Sequence, residues 1–179
     1  RSDVYFMLTT EISSIYSKKG KTRKIHNLIF APDLSIAASI NTLLARIGNL
    51  SSDGRPILGL DAKNLLKIVL DASPDALLVP AHAWTPHFSV FGSESGFDSL
   101  SECFEELTPH VYSIETGLSS DPPMNWRLSS LDHITPISNS DAHSPAKLGR
   151  ESNIFDTEIS YKAIKNAIKN RKGFVGTIE

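Results

Sequence analysis

The stretch ALLVPAHAWTPHFSVFGSESG, residues 76–96, joins an apolar segment to a long loop that contains several aromatic residues. Its first part, Ala76 to Ala83, is almost continuously apolar, which is typical of a strand buried on both faces. His82 closes this strand, and functional groups collect at the carboxyl ends of strands in folds built from parallel strands and helices. The loop that follows, Trp84 to Gly96, is expected to be ordered, because exposure of its aromatic side chains would be costly.

Similar short apolar segments recur along the chain and alternate with helical periodicity. Strands are predicted at residues 4–12, 25–31, 111–116, 134–138 and 174–178. Helices are predicted at residues 34–47, 62–70, 99–107 and 161–171, with Asp61 and Ser99 as candidate N-caps. Since strands and helices alternate, the expected fold is α/β, with parallel strands layered with helices in a barrel or an open sheet.

The length and composition fit one ordinary domain. The chain has 179 residues, of which 40% are hydrophobic and 21% charged, so a single domain over residues 1–179 is expected. The formal net charge of -2 lacks the domain-wide basic excess that is usual in nucleic-acid-binding proteins, and leaves only local basic patches. No apolar run approaches the ~20 residues of a membrane helix and no secretory signal is visible, so a cytoplasmic protein is expected.

Other features limit the chemistry. The single cysteine, Cys103, excludes an intrachain disulfide and a thiolate-rich zinc module, so a metal site would use histidines and carboxylates. Acidic neighbours would raise the pKa of its thiol, and we interpret it as a packing residue. The basic segment 18–24 is interpreted as a solvated turn between the first two strands. No nucleophile elbow, phosphate-binding glycine loop or dinucleotide-binding glycine motif is present in the sequence.

The segment SNSDAHSP, residues 138–145, carries the strongest local signal for chemistry. Asp141 and His143 are two positions apart after a predicted strand, and in an extended segment that spacing places both side chains on the same side. They could therefore approach one metal ion or one proton-transfer site. The alternative is a turn in which Asp141 binds backbone amides and His143 is solvated, because Asp-x-His occurs often by chance.

Other ligand-type residues stand at predicted strand ends. Glu11, His82 and Glu115 each close a strand, so together with Asp141 they are expected to converge at one edge of the fold. Each has an alternative role: the glutamates could cap helices or pair with an arginine, and His82 could bind backbone carbonyl groups. His26 lies in the apolar run KIHNLIF, where a satisfied core histidine is a serious alternative.

Four motifs together resemble the polymerase-and-histidinol-phosphatase (PHP) superfamily of metal-dependent phosphoesterases. They are TEIS with Glu11, KIHNLIF with His26, VPAHAWTP with His82, and SNSDAHSP with Asp141 and His143. Three longer stretches are similar to the branch that includes endonuclease Q: VPAHAWTPHFSVFGSESGFDSL, IETGLSSDPPMNWRLSSLD and ISNSDAHSPAKLGRESNIF. The likeness extends over nearly the whole chain, and the last two stretches are long enough to be specific.

This resemblance implies a distorted (β/α)7 TIM-like barrel of the PHP type, lacking its first strand in this chain, with up to three divalent ions at the strand ends. The ions would be Zn, Mn or Fe, which the donor types do not distinguish. The implied metal ligands are Glu11, His26, His82, Asp141 and His143. Of these, the expected catalytic residues are Glu11, Asp141 and His143. The expected substrate contacts are Trp84, His87, Phe88, Phe91, Glu115 and Arg150. The alternative for Trp84, Phe88 and Phe91 is inward packing over the core.

The chain departs from this family in two ways. The amino-terminal His-x-His strand, which supplies two ligands, is absent from these residues, and so is the cysteine-rich zinc module of the endonuclease Q branch. We therefore expect these residues to be part of a longer protein, with an incomplete metal site.

The function that the resemblance implies is a metal-dependent phosphoesterase that acts as an endonuclease on damaged or deaminated DNA. DNA is the expected partner, no membrane association is expected, and the sequence indicates no particular protein partner. Two alternatives stay open. One is a small-molecule phosphatase of the same superfamily, which the aromatic loop disfavours because flat aromatic rings suit stacking on bases. The other is a catalytically inactive PHP-like module that binds nucleic acid or a protein.

Overall fold

The computed structural model describes residues 3–179, and its first feature is a long antiparallel hairpin. β1 (Leu8–Lys18) pairs with β2 (Lys21–Ala31) over the full length of both strands. The two residues between them, Lys19 and Gly20, have φ angles of 52° and 73°. Positive φ at both central positions is what a type I′ turn requires, and the twist of that turn matches the twist of the two strands.

Six further strands complete three sheets within residues 3–179: β3 (Ile57–Leu58), β4 (Leu77–Pro80), β5 (Ser113–Glu115), β6 (Thr135–Ile137), β7 (Ser152–Phe155) and β8 (Phe174–Ile178). The largest sheet has the order β3-β1-β2-β4, in which β3 is parallel to β1 and β4 is antiparallel to β2. β5 and β6 form a parallel pair, and β7 and β8 form an antiparallel pair. The Ala83 amide donates to the Glu115 carbonyl oxygen at 2.8 Å, so the chain leaving β4 runs beside the end of β5.

Five α-helices lie in the same part of the chain, with short 3-10 turns between them: α1 (Leu34–Leu44), α2 (Ala62–Ala72), α3 (Leu100–Phe104), α4 (Pro122–Asn125) and α5 (Tyr161–Asn170). The two predicted N-caps are present. The Asp61 carboxylate accepts a hydrogen bond from the Lys63 amide at 2.8 Å, and the Ser99 hydroxyl accepts one from the Glu102 amide at 3.2 Å. Within residues 3–179, no helix has the length and apolar character needed to cross a membrane.

Apolar side chains pack on both faces of the four-stranded sheet. The larger cluster fills the space between the sheet and helices α1 to α3, and its buried members include Ile12, Ile25, Ile29, Leu65, Cys103 and Phe104. The smaller cluster, on the opposite face, is built from Leu77, Val79, Ile137 and Ile168. Because side chains alternate along a strand, Glu11 and Ser13 on either side of Ile12, and His26 and Leu28 between Ile25 and Ile29, turn toward this second face.

The expectation of a distorted (β/α)7 TIM-like barrel is wrong. No barrel closes within residues 3–179, because the strands divide into sheets of four, two and two, and the first two strands run antiparallel. Parallel neighbours would need a crossover of a dozen or so residues, whereas only Lys19 and Gly20 separate β1 from β2. The segment 18–24 is likewise not a turn, since apart from these two residues it belongs to the paired strand ends.

Replacement of Lys19 by Asn is expected to stabilise the protein. Asn adopts positive φ more readily than Lys, and the Lys19 side chain is exposed. A gain of about 0.5–1 kcal/mol would raise the melting temperature by about 1–4 °C in thermal unfolding followed by circular dichroism. Gly20→Ala is the opposing variant, and the strain at its φ of 73° should cost about 1 kcal/mol. A lower melting temperature for Lys19→Asn would contradict the assigned turn.

Candidate metal centre

Three ligand-type side chains, two from strands and one from the segment just after β4, meet on the second face of the sheet. Nδ1 of His26 lies 2.9 Å from Oε1 of Glu11 and 3.0 Å from Nε2 of His82. The third side of this triangle, between His82 Nε2 and Glu11 Oε1, is 3.6 Å. Each of the three side chains therefore offers one ligand atom to a single point. Glu11 lies in the first half of β1, His26 in the middle of β2, and His82 two residues after the end of β4.

The strand register explains why these side chains meet. In the β1–β2 pairing, Glu11 lies opposite Leu28 and Ser13 lies opposite His26, so Glu11 and His26 share one face. The Ala81 amide donates to the His26 carbonyl oxygen at 3.0 Å, which continues the β2–β4 pairing beyond β4. His82 follows directly and lies beside His26.

The donor set fits a divalent transition-metal ion. Two imidazole nitrogens and a carboxylate oxygen are ligands that Zn, Mn and Fe share. Ligand atoms bound at about 2.1 Å to one tetrahedral ion stand about 3.4 Å apart, close to the separations found between these three side chains. Ser13 points to the same face and is 1% exposed, and its hydroxyl has no hydrogen-bond partner within residues 3–179.

Burial and charge set the protonation of the three groups. Burial disfavours the charged form of Glu11, but the neighbouring His26, His82 and Arg55 side chains outweigh it and hold the pKa of Glu11 well below its usual range. Burial lowers the pKa of His26, and Glu11 offsets this only in part. Burial also acts on His82, but the negative charges of Glu11, Glu115 and Asp141 prevail and raise its pKa. An ionised carboxylate beside a neutral His26 is the state in which both can bind a metal.

Thr85 fixes the orientation of the His82 ring. Its Oγ1 lies 2.9 Å from His82 Nδ1, and it also lies 2.9 Å from the carbonyl oxygen of His87 and 3.1 Å from that of His82. A hydroxyl has one proton to donate, and carbonyl oxygens only accept, so that proton goes to a carbonyl. Thr85 therefore accepts from His82 Nδ1–H. In the neutral ring, which is the form that binds a metal, the lone pair of Nε2 then faces Glu11 and His26.

The backbone around His82 is strained and closely packed. His82, Phe88 and Asp141 adopt positive φ angles of 31°, 59° and 43°, which non-glycine residues rarely do. Gly117, at a φ of +60°, packs so tightly that an added Cβ would lie 2.6 Å from the Cβ of His82. Strain of this kind is concentrated at functional sites, because only a densely supported structure can hold it.

Glu115 supports the site from beneath. It is 3% exposed, and its two oxygens accept hydrogen bonds at 2.8 Å from the His82 amide and from Nδ2 of Asn139. Burial raises the pKa of Glu115, against the effect of these hydrogen bonds. Asn153 Nδ2 donates to the carbonyl oxygen of Ser138 at 2.7 Å and to Asn139 Oδ1 at 3.1 Å. The structure therefore places Glu115, an expected substrate contact, as a support that ties the segment after β6 to His82.

Asp141 and His143 lie differently from the three clustered ligands. Asp141 is near enough to His82 to raise its pKa, and a third of its side chain is exposed. The His143 side chain is 71% exposed, and its Nδ1 donates to the Asp141 carbonyl oxygen at 2.9 Å. The positive φ of Asp141 breaks the extended backbone that would have placed both side chains on one side. Arg150 holds this turn through its Nε, which donates to the Ser140 carbonyl oxygen at 2.7 Å.

The aromatic side chains of the loop 84–96 lie in two places, some against the larger core cluster and one against the site. Trp84 and Phe91 stack with ring centroids 4.6 Å apart and pack against the larger core cluster. The Phe88 ring instead lies 4.8 Å from that of His26, and its carbonyl oxygen accepts the His26 amide at 2.9 Å. His87 is exposed. Of the expected aromatic substrate contacts, Phe88 alone lies against a clustered ligand.

Sequence reasoning did not identify two residues that contact the cluster. Thr85 carried a weak signal, a hydroxyl three positions after His82 at the start of a loop. Arg55 carried none, because it lies in the irregular segment 49–56, whose course depends on tertiary pairing. Its Nη1 lies 3.4 Å from Oε1 of Glu11.

Comparisons with known proteins add relatives without a stated function. The uncharacterized protein YqxK of Bacillus subtilis is 38% identical over 130 residues, which are 72% of this chain and 32% of that protein. The uncharacterized protein MJ0043 of Methanocaldococcus jannaschii is 36% identical over 99 residues, 51% of this chain and 12% of that protein. The chain thus spans about a third of the first relative and an eighth of the second. No family profile and no solved structure matches the chain.

Thr85→Val is expected to lower the affinity for Zn²⁺ by about 10–100-fold, because the His82 ring loses the acceptor that fixes its tautomer. Thr85→Ser keeps the hydroxyl and should retain near-native affinity. Competition with a chromophoric chelator measures both, and thermal unfolding of the metal-free proteins checks that the fold is kept. Equal Zn²⁺ affinity for Thr85→Val and the native protein would contradict this role.

Gly117→Ala is expected to displace His82 and weaken Zn²⁺ binding. Its matched control is Gly149→Ala, at which φ is likewise positive, at +73°, but no atom lies within 4 Å of the added Cβ. Both variants should lose about 1 kcal/mol of stability to backbone strain. Only Gly117→Ala should also lose Zn²⁺ affinity, by about tenfold or more. The Zn²⁺ affinities are measured by the same competition with a chromophoric chelator. Equal Zn²⁺ affinities of the two variants would contradict the role of the contact between Gly117 and His82.

Proposed function

We propose that this chain forms part of a metal-dependent phosphoesterase of the PHP type that cleaves phosphodiester bonds in damaged or deaminated DNA. The observation that carries the proposal is the meeting of Glu11, His26 and His82 within 3.6 Å of one another. The resemblance to PHP proteins names the same three residues as ligands. The proposal rests on this site and not on a barrel, which the chain does not form.

The side chains around the cluster suit phosphoester hydrolysis. A divalent ion held by Glu11, His26 and His82 would polarise a phosphoryl oxygen and lower the pKa of water. Asp141, beside His82 and partly exposed, is the group that we assign to accept a proton from the attacking water. The Nδ1 of His143 is engaged by a carbonyl oxygen, so its exposed Nε2 is free to exchange a proton with the leaving group.

A nucleic-acid substrate is supported by the surface beside His26. The Phe88 ring is partly exposed next to the cluster, and Nζ of Lys24 lies 5.3 Å from its centroid. An aromatic ring and a cation at the rim of the site can stack on a base and pair with the neighbouring phosphate.

A small-molecule phosphatase is the second candidate. The observation that favours it is the inward packing of Trp84 and Phe91, which leaves a smaller aromatic surface for a polymer than the loop sequence suggested. The expected substrate would then be a phosphate monoester rather than an internal phosphodiester.

The complete protein, loaded with metal, is expected to cut a duplex that contains deoxyuridine or deoxyinosine and to leave a free mononucleotide intact. Glu11→Gln should lower the cleavage rate by about 100-fold or more, since it removes a charged ligand. Glu158→Gln, the same change at an exposed glutamate, should cleave at the native rate. Gel electrophoresis of labelled duplexes and phosphate release from the mononucleotide distinguish the two candidates. Confirmed metal content with hydrolysis of neither substrate would contradict both.

A further inference from the structure

We propose that Arg55 is a phosphate-binding residue, whose guanidinium binds the non-bridging oxygens of a substrate phosphate at the rim of the Glu11, His26 and His82 cluster. The inference rests on the proposed function, because it assumes that the cluster acts on a phosphate group. It assigns the anion site that three ligands alone do not provide.

The backbone of Arg55 is held at the level of the cluster by its neighbours. The Ser13 amide donates to the Pro56 carbonyl oxygen at 2.9 Å, and β3 continues beside β1 in parallel from that point. Before it, the Asp53 carboxylate accepts a hydrogen bond from the Arg55 amide at 3.1 Å. Arg55 is therefore attached to β1 at a position two residues from Glu11, with both of its flanks fixed.

The side chain of Arg55 approaches the cluster from solvent. It is 38% exposed, against 21% for Glu11 and less than a tenth for either histidine. The separation of 3.4 Å between Arg55 Nη1 and Glu11 Oε1 is longer than the ~2.7–2.9 Å of a well-formed charge-assisted hydrogen bond. Contact with Glu11 thus places the guanidinium at the rim of the cluster and leaves most of its hydrogen-bond donors unused.

Most donors of Arg55 are free for an incoming anion. A guanidinium has five N–H groups in a planar fork, a geometry that matches two oxygens of a phosphate. Within residues 3–179, the contact with Glu11 is the one side-chain hydrogen bond that Arg55 makes. When Glu11 serves as a metal ligand, its oxygen no longer competes for the guanidinium, and the fork is available to the phosphate.

Four other cations of the described chain are engaged elsewhere. Lys18 is paired with Asp61 and Glu105, and Lys63 with Glu105 and Glu106. Arg23 donates to the Gly96 carbonyl oxygen, and Arg150 to that of Ser140. Among the ion pairs of residues 3–179, Arg55 is the one arginine or lysine in contact with the carboxylate of the cluster.

The test compares Arg55→Gln with Arg46→Gln, the same change at an exposed arginine of a neighbouring segment. Inorganic phosphate is titrated into protein loaded with one equivalent of Zn²⁺, followed by calorimetry. Arg55→Gln should weaken phosphate binding by about tenfold or more, Arg55→Lys should weaken it less, and Arg46→Gln should match the native protein.

The affinity for Zn²⁺ provides the second readout. It is expected not to fall, whereas the affinity for phosphate does. Loss of a positive charge beside Glu11 should leave Zn²⁺ binding unchanged or strengthen it a few-fold. Native phosphate affinity in Arg55→Gln would overturn the proposal. A parallel loss of Zn²⁺ and phosphate affinity would overturn it too, because Arg55 would then merely support Glu11.

Hydrolysis assays separate this inference from the proposed function and identify the source of the phosphate. With a labelled DNA duplex and a mononucleotide as substrates, Arg55→Gln should raise KM about tenfold or more for whichever is hydrolysed. Phosphate binding that depends on Arg55 without hydrolysis of either substrate would refute the function and leave the anion site standing. Hydrolysis of a substrate together with native phosphate affinity in Arg55→Gln would support the proposed function and refute the anion site at Arg55.

Discussion

Glu11 and His26 face the same side of the sheet because β1 and β2 pair in the register that sets Ser13 opposite His26. A shift of one residue would turn Glu11 toward the helices, among the isoleucines of the larger core. An ionised carboxylate buried there without partners would cost several kcal/mol. The register that fills the core with Ile12, Ile25 and Ile29 is thus the register that assembles the cluster, so folding and site formation are one event.

The three side chains of the cluster are held in place by different contacts. Glu11 depends on β1, and His26 on β2 and the Phe88 carbonyl oxygen, whereas His82 depends on Glu115, Thr85 and the absence of a side chain at Gly117. Each positive φ around them carries a cost of order 1–3 kcal/mol, which the surrounding contacts must offset. An ion that bound only the folded state would raise the free energy of unfolding and offset part of that cost, so ion binding and stability are linked.

Local patterns predicted the buried strand at β4, most helix positions and the caps at Asp61 and Ser99, because apolar runs and capping chemistry act over a few residues. The hairpin was missed because the second half of β1 is largely polar and pairs with the basic start of β2. That pairing is satisfied by backbone hydrogen bonds and leaves no apolar pattern in either segment.

Glu11, His26 and His82 lie in motifs that the sequence displays, whereas the residues around them are brought there by tertiary structure. Arg55 reaches Glu11 because Ser13 binds Pro56, a contact between residues far apart in sequence. The composition of the loop after His82 did not predict which of its aromatic rings pack into the core and which lie at the cluster. The prediction that Asp141 and His143 point to the same side assumed an extended backbone. The positive φ of Asp141 interrupts that extended backbone.

The loop after β4 replaces a strand along the first half of β2. β4 pairs with residues 27–30, and beyond its end the amides of Lys24 and His26 donate instead to the carbonyl oxygens of Ser95 and Phe88. The same loop is anchored in the larger core through Val90 and Phe97, which are 0% and 5% exposed. Its release would break the bond to the His26 amide and lift the Phe88 ring from the imidazole together. Solvent exchange at that one amide and entry of an ion to the imidazole would therefore share a single opening rate.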